Sequence, residues 1–252
     1  MNTETKELIS KVPHVTLLFW LIKIFATTLG ETGGDALSMS LDLGYLLSTG
    51  IFALIFIAAV TVQIKATKFH PYLYWLTIVA TTTVGTTLAD YATRDMGIGY
   101  TGGSAILLTC VVISLVVWRW VMGTVAVESV STAKAEVFYW VTIMFSQTLG
   151  TALGDWFADS LDLGYLVAAA VFGTALLITY LLYRLTNASR VLLFWVAFIL
   201  TRPLGAVVGD FLDKPLDHGG LNLSRFTASA VLLVLIVAFI YIFPQKPAET
   251  AH

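Results

Sequence analysis

A Trp followed fifteen residues later by an Asp occurs four times in this chain, each time inside apolar sequence: Trp20/Asp35, Trp75/Asp90, Trp140/Asp155 and Trp195/Asp210. Successive Trp residues are 55, 65 and 55 positions apart. A Gly stands ten residues after each Trp (Gly30, Gly85, Gly150, Gly205), and another twenty-four after it (Gly44, Gly99, Gly164, Gly219). Self-similarity at this period means one supersecondary unit used four times. An ionisable group is costly in hydrocarbon, so a carboxyl kept at one register through four apolar repeats marks the working site.

The apolar runs are 17 to 25 residues long, enough to cross about 30 Å of hydrocarbon as helix. The chain is 58% hydrophobic and 12% charged, with mean hydropathy +0.85; soluble domains carry roughly 25% charged residues. The alternating segments of a membrane β-barrel are absent. These features predict an all-α polytopic membrane protein with eight transmembrane helices, over residues 15–37, 44–64, 72–92, 100–120, 136–157, 164–184, 191–212 and 225–243. Two helices per repeat make every repeat enter from the same side. The expected architecture is therefore four parallel helical hairpins with pseudo-fourfold symmetry about the membrane normal.

The 65-residue central step places a boundary between halves. Expected segments are a cytoplasmic tail (1–13), a first half (14–121), a linker (122–135), a second half (136–244) and a second tail (245–252). The first apolar run lacks a small-residue cleavage site and is expected to be retained as a helix. Lys6, Lys11, Lys65, Lys68, Arg119, Lys134, Arg184, Arg190 and Lys246 fall on the side of the termini, against Arg94, Lys214 and Arg225 in the hairpin turns. This asymmetry puts both termini in the cytoplasm. All ten Asp lie at or near the opposite, outer side.

Steps of four along the first helix of each repeat give Lys23, Thr27, Glu31, Asp35; Ile78, Thr82, Thr86, Asp90; Ile143, Gln147, Thr151, Asp155; and Phe198, Arg202, Ala206, Asp210. Residues four apart share a helix face. A polar stripe on a membrane helix faces other helices or a wet cavity. Small pairs run beside it (Gly30/Gly34, Gly85/Ala89, Gly150/Gly154, Gly205/Gly209), which permits close helix approach. Gly33 and Gly34 could alternatively unwind the first helix at Glu31–Asp35 and expose carbonyls. An interfacial carboxylate ending a helix is the plainer account of each Asp, but the macrodipole opposes a negative charge at a helix C-terminus. Lys23 and Arg202 either balance the buried acids or compete with a cation for them.

Asp-x-Gly in three hairpin turns (Asp42, Asp162, Asp217) is turn chemistry. Together with Asp95, Asp159 and Asp213 it gives an acidic outer mouth. The second helices are nearly pure aliphatic and aromatic, and read as a lipid-facing ring. Trp20, Trp75, Trp140, Trp195, Tyr45 and Tyr165 read as interface anchors. Cys110 is the single cysteine, which excludes an intrachain disulfide and a thiolate cluster. The four His (His14, His70, His218, His252) lie in polar segments, which argues against haem ligation across a bundle. Phosphate loops, nucleophile elbows and basic blocks for nucleic acid are missing, so neither an enzyme nor a nucleic-acid binder is expected.

The segments LIKIFATTLGETGGD, FSQTLGTALGDWFAD and TRPLGAVVGDFLDKPLDHGG resemble a bacterial integral-membrane family. It is built from a tandem repeat of unknown function, and its members are labelled uncharacterised membrane-anchored proteins. The resemblance spans about residues 15–243 and all four repeats. Its more specific pieces are Thr28 to Thr32 and Arg202 to Gly205. It implies membrane residence and the repeat architecture, and no activity.

The expected function rests on the residues: a gradient-driven transporter of a small inorganic cation. Its metal site would be Glu31, Asp35, Asp90, Asp155 and Asp210, and its pathway Lys23, Thr27, Thr82, Thr86, Gln147, Thr151 and Arg202. All-oxygen ligands suit Mn²⁺, Mg²⁺ or Ca²⁺, and metal export with Mn²⁺ leading is the first choice; no organic cofactor is expected. The expected partners are the lipid bilayer, the cation and a second copy of the chain. A scaffold or sensor with a structural polar core, a proton channel, and an enzyme or quinone-handling protein using Lys23 or Arg202 are the other readings.

Overall fold

The computed structural model describes residues 10–249; Lys6, His252 and most of the 1–13 tail lie outside them. Eight long helices account for most of the described chain, and no strand occurs among the described residues. They are α1 (Leu17–Asp35), α2 (Gly44–Lys65), α3 (Pro71–Asp90), α4 (Gly99–Met122), α5 (Ala133–Asp155), α6 (Gly164–Leu185), α7 (Arg190–Asp213) and α8 (Arg225–Ile242). Each begins and ends close to where the hydropathy pattern places it.

Local chemistry sets the ends. Thr16, Thr132, Ser189 and Ser224 accept hydrogen bonds from backbone N–H groups three residues on, capping α1, α5, α7 and α8. Pro71 opens α3, where its missing N–H costs nothing. Asp42 and Asp162 adopt φ of 54° in the turns before α2 and α6, the conformation Asp tolerates.

The first helices do not stop at the repeated Asp. After Asp35, Asp90 and Asp155 the chain continues through a five-residue π-helical turn (Ala36–Ser40, Tyr91–Asp95, Trp156–Ser160), while α7 stays α-helical to Asp213. Each Asp is thus one turn inside a helical column, and not at its end. Unwinding at Glu31–Asp35 does not occur either: α1 is continuous through Gly33 and Gly34.

The four first helices form a closed inner ring, α1 against α3, α3 against α5, α5 against α7 and α7 against α1. The second helices lie outside, and here the structure departs from a simple hairpin. The main neighbour of each is the first helix of the following repeat: α2 packs on α3, α4 on α5, α6 on α7, and α8 closes the circle on α1. Each repeat therefore clasps the next, and α4 and α5 pack across the central linker as closely as the other pairs.

Five helices (α2, α4, α6, α7 and α8) are long and apolar enough to cross a membrane. The outer helices keep most of their surface outside the core; Leu54, Ile57, Ile113, Val116, Leu166 and Val234 are exposed. The Trp anchors behave otherwise. Trp75, Trp140 and Trp195 are buried, and Trp20 is half-buried. With Phe19, Tyr74, Trp118, Tyr139, Phe194 and Phe198 they form one network of ring contacts 5.1–6.2 Å between centroids. These residues plug the end of the inner ring away from the Asp level. Some of their polar atoms find internal partners: the Tyr74 and Tyr139 hydroxyls pair at 2.6 Å, and Trp195 Nε1 donates to the Val125 carbonyl. A ring of four converging helices leaves the Trp register facing its axis, which is why an interface role does not hold for these three.

Candidate functional site

Glycine makes the inner ring close. A Cβ at Gly30 would lie 2.3 Å from Thr82 Cγ2, one at Gly85 would lie 2.9 Å from Gln147 Cβ, one at Gly150 would lie 2.1 Å from Arg202 Cγ, and one at Gly205 would lie 2.1 Å from Thr27 Oγ1. The Gly ten residues after each Trp thus seats the side chain seven residues after the Trp of the next repeat, cyclically. One turn further out, Gly34 seats Thr86 and Gly209 seats Glu31 in the same way. This is small-residue packing applied four times around a circle. It forces the stripe side chains into one axial column.

The column has levels. All twelve polar residues of the stripes are buried: Lys23, Thr27, Glu31, Asp35, Thr82, Thr86, Asp90, Gln147, Thr151, Asp155, Arg202 and Asp210. Innermost, next to the aromatic plug, Lys23 shares its register with Ile78, Ile143 and Phe198. Its Nζ lies 3.8 Å from the centre of the Phe198 ring and has no hydrogen-bond partner among the described residues. The next level holds Thr27, Thr82, Gln147 and Arg202. Thr27 Oγ1 donates to the Ile24 and Thr201 carbonyls, whereas Thr82 Oγ1 and both amide atoms of Gln147 are unpartnered among the described residues.

Arg202 reaches outward from that level. Its Nη2 donates to Glu31 Oε2 at 2.9 Å, to Thr86 Oγ1 at 2.6 Å and to Thr151 Oγ1. One guanidinium therefore ties the third level of three repeats together. Above it, the carboxylates converge. Glu31, Asp35 and Asp90 place an oxygen each within 4.8 Å of one another; so do Glu31, Asp155 and Asp210, and so do Asp35, Asp210 and Asp213. Glu31 belongs to two of these groups, which between them hold all five candidate ligands.

Two cations from the outer turns close this centre. Arg94 pairs with Asp90 at 3.1 Å and with Asp155 at 3.0 Å. Lys214 pairs with Asp35 at 2.7 Å and with Asp210 at 3.1 Å. Each cation stands four residues after the Asp of its own repeat and bridges to the Asp of the next. Repeats one and three carry Met39 and Asp159 at that register, so alternate repeats supply the cation. Arg225 adds a third contact, 3.0 Å from Asp213 and 3.8 Å from Asp35. Burial works against the charge on Lys214, but Asp210, Asp35 and Asp213 together raise its pKa well above the ordinary lysine value.

In the sequence alone, Arg94, Lys214 and Arg225 bear only on orientation, and Asp213 only on the acidic mouth. The signal for the first two was present as the i,i+4 pairs Asp90/Arg94 and Asp210/Lys214. Of the mouth residues, Asp42, Asp95, Asp159, Asp162 and Asp217 are exposed, whereas Asp213 is buried in the cluster.

Among the described residues the donor set contains carboxylate and hydroxyl oxygens, with no thiolate or imidazole in the three groups. Such a set suits a hard cation. No curated protein and no solved structure matches the chain. Residues 18–69, 73–124, 138–189 and 193–245 each match one copy of the same repeat, and together they cover most of the chain. The protein therefore belongs to the family described as Repeat of Unknown Function (DUF347), of which it carries four tandem copies.

Proposed function

We propose that the chain is a gradient-driven transporter of a small inorganic cation in a bacterial inner membrane. All eight helices span the bilayer in this reading, with pseudo-fourfold symmetry and both termini cytoplasmic. The apolar outer helices support it, since their exposed faces suit lipid. α1, α3 and α5 are less apolar because they carry the buried stripe, which the inner ring shields from lipid.

One observation carries the transport reading: five carboxylates from four repeats fall into overlapping groups, each within 4.8 Å, inside a closed helical ring. Structural polar cores need partners for their polar groups, not a surplus of acid. Glu31, Asp35, Asp90, Asp155 and Asp210 would hold the ion as substrate, with Thr86 and Thr151 as neutral oxygens. Lys214 and Arg94 occupy those carboxylates in this state. An entering ion displaces them, and their return helps to release it. Divalent metal export, with Mn²⁺ as the first candidate, fits the oxygen donors and the charge.

The competing reading is a scaffold or sensor whose core is structural. The completeness of the ion pairs favours it, because each of the five carboxylates has at least one cation within reach. Ion flux into proteoliposomes separates the two, using Mn²⁺, then Mg²⁺ and Ca²⁺, for wild type and an Asp90→Asn/Asp155→Asn double variant of matched folding. Flux that vanishes in the variant supports transport at the carboxylates. Folded wild-type protein that moves none of these ions, and no protons, leaves the structural reading standing.

A further inference from the structure

Forty-three residues after each repeat Trp, in the last turns of the second helix, stand Gln63, Trp118, Tyr183 and Ala238. Each second helix packs on the first helix of the next repeat, so this register lies beside the aromatic end of the inner ring. Trp118 shows what the position can fill. It is fully buried, stacks on Phe138 at 6.5 Å between centroids and meets Trp195 edge-on at 5.7 Å. Gln63 is buried as well. Beside Ala238, Gln245 takes the Trp75 indole N–H instead, at 2.9 Å. Tyr183 differs: it is 37% exposed, its ring lies 4.3 Å from the Arg190 guanidinium, and its carbonyl accepts from Arg190 Nη1. Trp20, which holds the place of Trp195 on the next helix round the ring, is left half-buried.

Turned outward, Tyr183 borders an open groove of about 510 Å³ between α1, α6 and α7, a volume typical of small-molecule sites. Its walls are the start of α1 as far as Ile24, the end of α6 from Leu176, and α7 from Arg190 to Thr201. The lining is mostly apolar and includes Trp20, Leu177 and Phe194. The charged residues that line it are Glu128, in the short turn before α5, and Arg190, the first residue of α7. Both stand at the end of the groove where α1 and α7 begin, and neither forms an ion pair among the described residues. From Arg190 to Thr201 α7 rises about 17 Å. The hydrocarbon of one leaflet is about 15 Å deep.

We propose that this groove binds a glycerophospholipid whose headgroup carries a primary ammonium, as in phosphatidylethanolamine. One acyl chain lies along α7 over Trp20 and Phe194, and the groove is as long as one leaflet is deep. Arg190 donates to the phosphate, for which a guanidinium is suited, and the Glu128 carboxylate accepts from the ammonium. A headgroup that carries the phosphate alone places a negative group beside Glu128, whereas a primary ammonium turns that repulsion into an ion pair. The proposal rests on the bilayer residence proposed above and is independent of ion transport.

The test is native mass spectrometry of the full chain released from detergent micelles, titrated with dioleoyl phosphatidylethanolamine and with dioleoyl phosphatidylglycerol. Wild type should bind the first about tenfold more tightly than the second. Glu128→Gln should remove most of that preference. Arg190→Gln should weaken both lipids, and Ala197→Phe, which puts a ring into the groove from α7, should do the same. Variants at both ends guard against one that fails to fold. Equal affinity of wild type for the two lipids would overturn the assignment. So would phosphatidylethanolamine binding that is unchanged in folded Arg190→Gln and Ala197→Phe, since the lipid would then sit elsewhere. A dimer of the chain that Ala197→Phe splits would give the groove to a second copy and overturn the lipid site. Protein that stays dissolved without detergent would overturn bilayer residence and the site together.

Discussion

Lys214 and Asp35, 179 positions apart in the chain, meet at 2.7 Å and join the fourth repeat to the first. Arg94 and Asp155 make the corresponding bridge from the second repeat to the third at 3.0 Å. The circle of four inner helices is thus fastened at its outer end by two cations, each of which also holds the Asp four residues before it.

Replacing Lys214 with Met should therefore loosen the outer end while sharpening its attraction for cations. Among the described residues, Asp35 would keep only the 3.8 Å contact to Arg225, and Asp210 would lose its one cation. Breaking a buried pair from one side costs about 3–5 kcal/mol; Lys214 keeps 13% of its side chain in solvent, which moves the expectation to the lower end. Thermal unfolding in detergent should show the loss without added metal and recovery with Mn²⁺, which can take the place of the missing charge. The sign with pH is fixed as well. The pKa of Lys214 is raised by folding, so the stability it contributes is complete below the unfolded lysine pKa of about 10.4 and is lost only as pH rises through the higher folded value. Melting curves on the alkaline side should therefore converge for wild type and Lys214→Met.

Arg202 is the central tie of the third level, with no side-chain exposure. All three contacts come from Nη2, at the far end of the side chain; Lys at this position keeps the charge but is shorter, so its ammonium falls short of the point where Glu31, Thr86 and Thr151 meet. Arg202→Lys should destabilise the fold by about 2–4 kcal/mol, and Arg202→Met by more, because Glu31 is left as an unpaired buried carboxylate. Adding Glu31→Gln to Arg202→Met should return part of the loss. A double-mutant cycle on unfolding free energies checks this; additive effects would mean the two side chains are not coupled.

The axial column was legible in the sequence because its signal is intrahelical. Four-residue steps from Trp20 and its three counterparts report one face of one helix, whatever lies opposite. Helix limits followed for the same reason: the apolar run at 44–64 becomes Gly44–Lys65, and that at 164–184 becomes Gly164–Leu185. What stayed hidden depends on partners between helices. Hydropathy cannot tell whether α2 lies on α1 or on α3. The burial of Trp75 and Trp140 depends on how the inner ring converges. Lys214 reads as a loop cation until the turn that carries it is folded back over Asp35. The repeated Gly at position ten was visible, but its use as a seat for the next repeat's side chain required two helices at once.

Gly150 and Gly33 give a matched pair of tests for that seating. A methyl at Gly150 would meet Arg202 Cγ at 2.1 Å and Pro203 Cδ at 3.0 Å, whereas one at Gly33 has nothing closer than 3.8 Å. Overpacking of a tight site costs about 1–3 kcal/mol, and here it would also push the guanidinium out of register with Glu31 and Thr151. Gly33→Ala in a continuous helix should be neutral or stabilising by up to about 1 kcal/mol through propensity. Thermal melts of the two variants side by side should separate clearly. Equal behaviour would mean that the inner helices are not in glycine contact.

Asp155 and Asp159 separate a role inside the column from a role at the mouth. Asp155 is buried, shares a carboxylate group with Glu31 and Asp210, and is held by Arg94. Asp159 lies one turn further out, is exposed, and belongs to none of the three carboxylate groups. An exposed carboxylate attracts ions only through a screened field, so Asp159→Asn should lower Mn²⁺ uptake by less than about twofold, with the difference shrinking as salt is raised. Asp155→Asn removes a ligand oxygen's charge and strands Arg94. It should lower uptake by at least about tenfold, with little dependence on salt, since a hydrogen-bonded buried charge pair is worth more than about 1.4 kcal/mol. Initial rates in proteoliposomes at two salt concentrations give both numbers. If the exposed Asp159 proved the more sensitive position, the ion would be selected at the surface, and the buried carboxylates would be holding the repeats together.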